Sequence, residues 1–441
     1  MTLNTASCSA LFLTAPASNQ GKTTITAALA RHFANQGKVV KVFKTGPDYL
    51  DPQILAQASG QPVEQLDIWM AGEEYCREML FKAAQTADLI LVEGAMGMFD
   101  GEPSSADLAA AFGIPMAIVM DVQGMAQTAA ALALGLARFR PDVNVAGIIA
   151  NRCGSERHAQ LIREALPPDI PLLLSLKRNE EVTLPERHLG LVQAIEVKEE
   201  LEVRFQAAVD WLAQAPDNQL LSLPRAIEFQ APNGEASVCA PLLKNKVIAI
   251  AKDEAFSFIY DANLQALKSL GAEVRFFSPL HDAKLPAADA LWLPGGYPEL
   301  HAHALSENTK MKQAIYHFYD LGKPILAECG GMLYSFETLT DLSQQTYPMI
   351  GMLRGNGVMR SKGGCQGMQT APFPEGDIRG HAHHRSLSEN TSEPIAYGKR
   401  QRHPAPGEAI FRNKGLTASY LHLFFSSNLV ATATLFGGAN E

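Results

Sequence analysis

Short apolar runs recur along this chain, each followed by a stretch with helical spacing. In the first half the runs are Leu11-Phe-Leu, Val39-Val-Lys-Val-Phe, Leu89-Ile-Leu-Val, Met116-Ala-Ile-Val, Val145-Ala-Gly-Ile-Ile and Leu172-Leu-Leu. Near-continuous apolar strands alternating with helices predict a mostly parallel sheet covered on both faces. After the first run, Ile25, Ala28, Leu29 and Phe33 fall at helical spacing and predict an amphipathic helix. A second alternating set begins at Val247-Ile-Ala-Ile-Ala and continues through Val274-Arg-Phe-Phe, Ala290-Leu-Trp-Leu and Ile325-Leu-Ala. Between the two sets, Val197 to Leu212 reads as a charged amphipathic helix. Pro-, Asn- and Ser-bearing material then places a linker around 215–245. The expected organisation is an α/β domain over 1–195, a helix and linker over 196–245, and a second α/β domain over 246–441.

Ligands of such sheets bind beyond the carboxyl ends of the strands, and polar clusters fall at those places. The first run leads into Ala15-Pro-Ala-Ser-Asn-Gln-Gly-Lys-Thr-Thr24. Backbone N–H groups at a helix N-terminus carry partial positive charge and bind phosphate. In that setting Gly21, Lys22, Thr23 and Thr24 read as a phosphate loop, with Lys22 on the terminal phosphates and the Thr23 hydroxyl on Mg2+. An ordinary strand-to-helix turn with a surface lysine gives the same local pattern, and Pro16 stands where such loops usually begin with Gly. The second strand is followed by Lys44-Thr-Gly-Pro-Asp-Tyr-Leu-Asp-Pro52, the third by Glu93-Gly-Ala-Met-Gly-Met-Phe-Asp-Gly101, and the fifth by Asn151-Arg152. Glu93, ending an apolar strand, reads as a Mg2+-binding carboxylate beside the loop. Asp48, Asp51 and Asp100 adjoin Gly or Pro in stretches equally suited to plain turns.

In the second half, Cys329 lies between a strand and a helix start and is followed by Gly330 and Gly331. That is the pattern of a nucleophile elbow, where glycines tolerate the tight turn. A helix N-terminus there is expected to lower the thiol pKa. Gly295 and Gly296, after another apolar strand, offer N–H groups to an oxyanion, and His422 is a distant histidine able to act as base. A buried structural cysteine is the alternative.

Composition narrows the field. Net charge is −9 over 441 residues, which speaks against a nucleic-acid binder held by phosphate contacts. The six cysteines form no C-x-x-C pair, as expected of a reducing compartment. No Lys or Arg occurs in the first fifteen residues, and no apolar run approaches the ~18 residues of a membrane span. A cytoplasmic protein without membrane or nucleic-acid partners is expected, as monomer or homodimer.

Taken in order, these motifs resemble a known family over nearly the full length. They are joined by Leu184-Pro-Glu-Arg-His-Leu-Gly-Leu191, Asp253-Glu-Ala-Phe-Ser-Phe and Arg379-Gly-His381. The chain resembles the corrinoid a,c-diamide synthases, acting on cobyrinate or hydrogenobyrinate. The resemblance implies a P-loop NTPase-like, dethiobiotin-synthetase-like domain followed by a flavodoxin-like class I glutamine amidotransferase domain. It also implies ATP, glutamine and a corrinoid as substrates and Mg2+ as cofactor. Two ring carboxylates would be activated as acyl phosphates, and ammonia would pass between domains by a sheltered path.

By match to family motifs, Cys329 and His422 would release ammonia, with Gly295, Gly296 and Gly330 around the glutamine. Gly21, Lys22, Thr23, Thr24, Lys44 and Asn151 would bind ATP, Asn151 at the adenine edge. Asp48, Tyr49 and Asp100 would face substrate and γ-phosphate, and Thr23 and Glu93 the metal. Two departures stand out. Asn19 replaces a usual glycine, and Phe424 stands where such amidotransferases carry an acid two residues past the histidine. Rival classes fit less well. A MinD/ParA-type switch needs a lysine where Ala17 stands, and a dethiobiotin synthetase has no use for the Cys–His half. Cobyric acid synthase is disfavoured by the 184–191 motif.

Overall fold

The computed structural model describes residues 4–187, 190–191, 196–233, 240–364 and 366–438. The chain divides into two compact units, 1–236 and 237–441. Among the described residues no helix is long and apolar enough to cross a membrane.

The first unit is built on β1 (Thr5–Thr14), β2 (Val40–Lys44), β3 (Glu64–Gln65), β4 (Leu89–Glu93), β5 (Met116–Asp121), β6 (Val145–Cys153) and β7 (Leu172–Lys177). A short hairpin, β8 (Glu186–Arg187) and β9 (Gly190–Leu191), follows, and β10 (Ala226–Gln230) comes last. The helices are α1 (Lys22–Asn35), α2 (Asp51–Ser59), α3 (Ile68–Ala71), α4 (Glu73–Ala84), α5 (Ser105–Phe112), α6 (Gln127–Arg138), α7 (Glu156–Ala165) and α8 (Lys198–Ala213). The sheet order is β3-β2-β4-β1-β5-β6-β7, with every neighbouring pair parallel. All six expected strands form at their apolar runs. Alternate side chains of β1 serve opposite faces. Ala10 and Phe12 enter a cluster with Ile90, Val92 and Phe112, while Leu11 and Leu13 enter another with Leu29, Phe33, Phe205 and Trp211.

Strand order reverses at β1, which lies between β4 and β5. The loop after β1 therefore opens into the crevice where doubly wound sheets bind ligands.

Residues 198–230, expected as helix and linker, are built into this unit. Leu201, Phe205 and Leu212 of α8 join the cluster around α1. β10 pairs antiparallel with the start of β1, from Thr5↔Gln230 to Ser9↔Ala226. That start extends beyond β5, whose pairing with β1 begins only at Phe12, and so offers β10 an open edge.

The second unit contains β11 (Val247–Ala251), β12 (Glu273–Phe277), β13 (Ala290–Leu293) and β14 (Ile325–Glu328). A small sheet, in the order β16-β15-β17-β20, holds β15 (Thr338–Thr340), β16 (Thr346–Pro348), β17 (Asn356–Met359) and β20 (Ser386–Glu389). The remaining strands are β18 (Gln366–Phe373), β19 (Gly376–His383), β21 (Ala396–Arg400), β22 (Pro406–Asn413), β23 (Leu416–Ser419) and β24 (His422–Leu423). Helices α9 (Asp261–Ser269), α10 (Ala302–Glu307), α11 (Thr309–Asp320), α12 (Gly330–Ser335) and α13 (Leu429–Leu435) accompany them. The main sheet runs β12-β11-β13-β14-β23-β22-β21-β18-β19-β24. Its first five strands are parallel, and antiparallel strands extend it. β24 follows β23 by three residues in sequence, yet pairs with β19 at the far end of that order. The sheet must curl to bring its last strand back to the end of β23.

Two candidate active sites

In the first unit, β1 delivers the chain into the loop and α1 takes it away. Gly21 is the residue before α1, with φ +92°. Asn19 also adopts the left-handed region, at φ +63°, a conformation asparagine tolerates better than most residues. The loop thus keeps a glycine-like bend without glycine there. α1 has no side-chain cap and no acidic residue in its first turn, which leaves its N-terminus electropositive. The loop is braced from two sides. The Asn151 Nδ2 donates to the Gln20 carbonyl at 2.9 Å, and the Asp121 N–H to Gln20 Oε1 at 2.8 Å. Opposite, the Met98 N–H donates to the Ala15 carbonyl at 2.8 Å, and Lys22 Nζ to the Met96 carbonyl at 2.8 Å. A Cβ on Gly21 would lie 2.3 Å from Asn151 Nδ2.

Carboxylates gather beside the loop. Thr23 Oγ1 lies 2.9 Å from Glu93 Oε1 and 3.2 Å from Asp51 Oδ2. Glu93 is fully buried, and among the described residues its Oε2 has no hydrogen-bond partner. Lys44 is buried among Asp48 at 3.4 Å, Asp51 at 3.6 Å and Glu93 at 3.7 Å. Burial opposes its charge, yet these three carboxylates hold its pKa above the ordinary lysine value. Burial lowers the pKa of Lys22. Burial and the neighbouring Asp48 push Asp51 well above the usual carboxylate range. Asp48 falls below that range: burial pushes upward, but Lys44 together with hydrogen bonds from the Asp51 side chain and the Leu50 and Asp51 N–H groups outweighs it.

These groups line a cavity of about 1130 Å3, whose walls also carry Arg152, Lys177, Arg178, Arg204 and Trp211. Lys22, Thr23, Thr24, Lys44, Asp48, Glu93 and Asn151 all line it. Tyr49 and Asp100 do not; Asp100 turns back to accept the Gly97 N–H at 3.1 Å. Asp51 is a contributor that turn chemistry had masked. Lys177 was detectable, since it ends an apolar strand as Glu93 does. Arg204 and Trp211 reach the cavity from α8, an approach that local sequence does not encode. His188 lies outside the described residues, as does the side chain of Arg187.

A donor set of hydroxyl and carboxylate oxygens suits Mg2+, as does a buried Glu93 oxygen without a hydrogen-bond partner among the described residues. Among the described residues no three His, Cys, Asp or Glu side chains group to enclose a metal by themselves. Mg2+ commonly completes its shell with water and substrate phosphates.

In the second unit Cys329 stands between β14 and α12 with φ +45° and ψ −101°. This backbone is strained for a residue with a side chain, as an elbow requires. Its N–H donates to the Ser419 carbonyl at 2.8 Å. That bond continues the β14–β23 register, in which Glu328 faces Ser419. His422, three residues on, starts β24. A Cβ on Gly295 would fall 2.3 Å from His422 Cε1, and one on Gly330 would fall 2.9 Å from the Gly296 nitrogen. Gly295, Gly296, Cys329, Gly330 and His422 are therefore brought together. His381 stacks on His422 with ring centres 5.0 Å apart and planes at 15°. Phe424, at the expected acid position, is fully buried and packs edge-on against Tyr260.

The electrostatics correct one expectation. Burial, aided by Glu299, pushes the Cys329 thiol pKa up, and this outweighs the lowering by the Gly330 N–H at the helix start. Burial, with His383 and His384, lowers His422 to about 3. The resting pair is a neutral thiol and a neutral imidazole, one ring nitrogen of which carries no proton and can accept one.

Comparison with known proteins agrees with both halves. Residues 11–192 match the CobQ/CobB/MinD/ParA nucleotide binding domain, and residues 247–430 the CobB/CobQ-like glutamine amidotransferase domain. The hydrogenobyrinate a,c-diamide synthase of Stutzerimonas stutzeri is 51% identical over 97% of this chain and 98% of its own. That of Pseudomonas aeruginosa is 48% identical over 99% of each chain. The cobyrinate a,c-diamide synthase of Herminiimonas arsenicoxydans is 44% identical over 99% of this chain and 98% of its own. With two-domain matches and full-length identity at this level, the chain belongs to the a,c-diamide synthase family.

Proposed function

We propose that this protein amidates the a and c acetate carboxylates of cobyrinic or hydrogenobyrinic acid, using ATP and glutamine. The observation that carries the reading is the pairing, in one chain, of a carboxylate-flanked phosphate loop with a Cys–His elbow. A carboxylate is a poor acyl donor because its leaving group would be oxide. Its oxygen attacks the γ-phosphorus, ADP leaves, and an acyl phosphate forms. Ammonia then attacks the acyl carbon and phosphate departs. Lys22 and Lys44 balance phosphate charge during the first step, while Asn151 and Asp121 hold the loop that receives the phosphates. Asp48 holds Lys44. Thr23, Asp51 and Glu93 would hold Mg2+, which when bound neutralises charge on the phosphates. The basic side chains on the cavity wall, Arg152, Lys177, Arg178 and Arg204, suit the remaining anionic groups of the bound substrates.

Nitrogen comes from the second unit. The Cys329 sulfur attacks the glutamine amide carbon while His422 takes the thiol proton. Gly295 and Gly296 present backbone N–H groups to the oxyanion. His422 returns the proton to the departing ammonia, and water hydrolyses the thioester to glutamate.

The test supplies the protein with ATP, Mg2+ and either corrinoid acid, with glutamine or ammonium as nitrogen source, and reads product mass. Two successive carboxylate-to-amide conversions are expected, and the productive acid identifies the substrate. Cys329→Ala should abolish the glutamine-supported reaction and keep the ammonium-supported one. Loss of both in a folded variant refutes the two-site reading.

A further inference from the structure

His422 sits on a two-residue strand, and Phe424 occupies the place of the acid that would have fixed it. What sets its distance from Cys329 is visible one residue before the nucleophile. Glu328 is only 2% exposed. Its Oε1 accepts the Leu423 N–H at 2.8 Å, and its Oε2 accepts the Trp292 indole N–H at 2.8 Å. Trp292 belongs to β13, the strand beside β14. Leu423 follows His422 in β24. One carboxyl group, steadied by an indole on the neighbouring strand, therefore ties the nucleophile's strand to the base's strand.

Burying a carboxyl is costly and is tolerated where its hydrogen bonds are made. Desolvation pushes the Glu328 pKa up to about 8. Either protonation state leaves lone pairs for both N–H donors. An amide would not, because one end of it presents N–H to an N–H. Gly295 and the His381 ring both lie against His422, so a displacement of β24 moves the imidazole relative to them and to Cys329.

We propose that Glu328 is a positioning residue that sets the spacing of Cys329 and His422 through the Leu423 N–H, in place of an acid beyond the histidine. This rests on reading Cys329 and His422 as nucleophile and base.

The test compares Glu328→Gln, Trp292→Phe and Cys329→Ala in the full chain. Thermal unfolding, glutamine hydrolysis and ammonium-supported amidation are measured for each. In Glu328→Gln, kcat for glutamine hydrolysis should fall by about 100-fold, the cost of roughly an ångström of misplacement. KM for glutamine should stay within about threefold, as expected when transition-state geometry rather than uniform binding is lost. Ammonium-supported amidation should be unchanged. Trp292→Phe removes the other hydrogen bond of the same carboxyl but leaves the tie to β24, and should keep most of the kcat. A Glu328→Gln kcat within about threefold of the parent overturns the proposal. So does an equal fall in Trp292→Phe, which would mean general loss of packing. If Glu328→Gln does not fold, Glu328→Asp, whose carboxylate is withdrawn by one methylene, is read by the same criteria. Persistent glutamine hydrolysis in Cys329→Ala overturns the nucleophile reading itself. A normal Glu328→Gln beside an inert Cys329→Ala overturns the positioning role alone.

Discussion

Replacing Gly295 by alanine isolates the steric demand of the Cys–His site. The φ of Gly295 does not lie in the left-handed region, so alanine carries no backbone penalty there, and the whole effect comes from one methyl group. That methyl would sit 2.3 Å from His422 Cε1, 3.0 Å from Nδ1 and 3.3 Å from Phe258 Cβ. Carbon atoms meet comfortably at about 3.5 Å, so the ring must retreat by roughly 1.2 Å. His381 stacks on the ring and Phe258 lies within 6.1 Å of it, so little free space is available. A retreat of that size costs about 100-fold in rate, or about 2.7 kcal/mol at 1.36 kcal/mol per decade. The assay is steady-state amidation with saturating glutamine or ammonium in the same preparation, with glutamine hydrolysis measured separately. Glutamine-supported kcat should fall by about two decades and ammonium-supported kcat should not change. A folded Gly295→Ala protein that uses glutamine at the parental rate refutes the assigned place of His422. Gly296→Ala is a poor substitute, since its methyl would lie 2.0 Å from the Ala255 carbonyl oxygen and would test packing instead.

Three further outcomes follow from the first unit and from Glu328. Lys22→Ala should lower amidation by about 100- to 1000-fold with either nitrogen source, the usual cost of removing a charge-stabilising donor; near-normal ammonium-supported turnover would mean that the loop is not the ATP site. Asn151→Ala removes the bond to the Gln20 carbonyl and should weaken ATP binding by up to about tenfold, roughly the worth of one hydrogen bond. Calorimetric titration reads this, and glutamine hydrolysis serves as the unaffected control. Glu328, raised from 4.5 to about 8, holds its proton more tightly folded than unfolded. Its contribution is fully present below about pH 4.5 and is lost as pH rises through about 8, a ceiling of roughly 5 kcal/mol. Urea unfolding of the parent should therefore lose stability over that window relative to Glu328→Gln, and parallel pH curves would refute the shift.

The parallel core of both units was legible because buried strands are written as apolar runs. The runs at 89–92, 116–119 and 247–251 became β4, β5 and β11 with little change of boundary. Glu93 was legible for the converse reason: a carboxylate closing such a run must face something. β10 was not legible. Only Phe229 of its five residues is buried, so its composition reads as linker, and it is a strand because β1 leaves an open edge. Asp51 hid among turn residues, and its carboxylate acquires meaning only where β2 and β4 bring Lys44 and Glu93 beside it. Glu328 hid as the last residue of an apolar strand. Its two partners are 36 and 95 residues away in sequence, and no local pattern announces a bond to a backbone N–H. The thiol pKa went against expectation because a helix terminus is a local term, whereas desolvation is set by the whole surrounding fold.

The neutral state of the Cys329–His422 pair also bears on how the protein survives between turnovers. Oxidants and general alkylating agents attack thiolates far faster than thiols. A nucleophile kept protonated, 5% exposed and beside a histidine that carries no charge offers them little. On the proposed reading, a bound amide whose carbonyl carbon meets the sulfur draws the thiol proton to His422. Substrate recognition and thiol activation would then be a single event, which leaves the idle site chemically quiet.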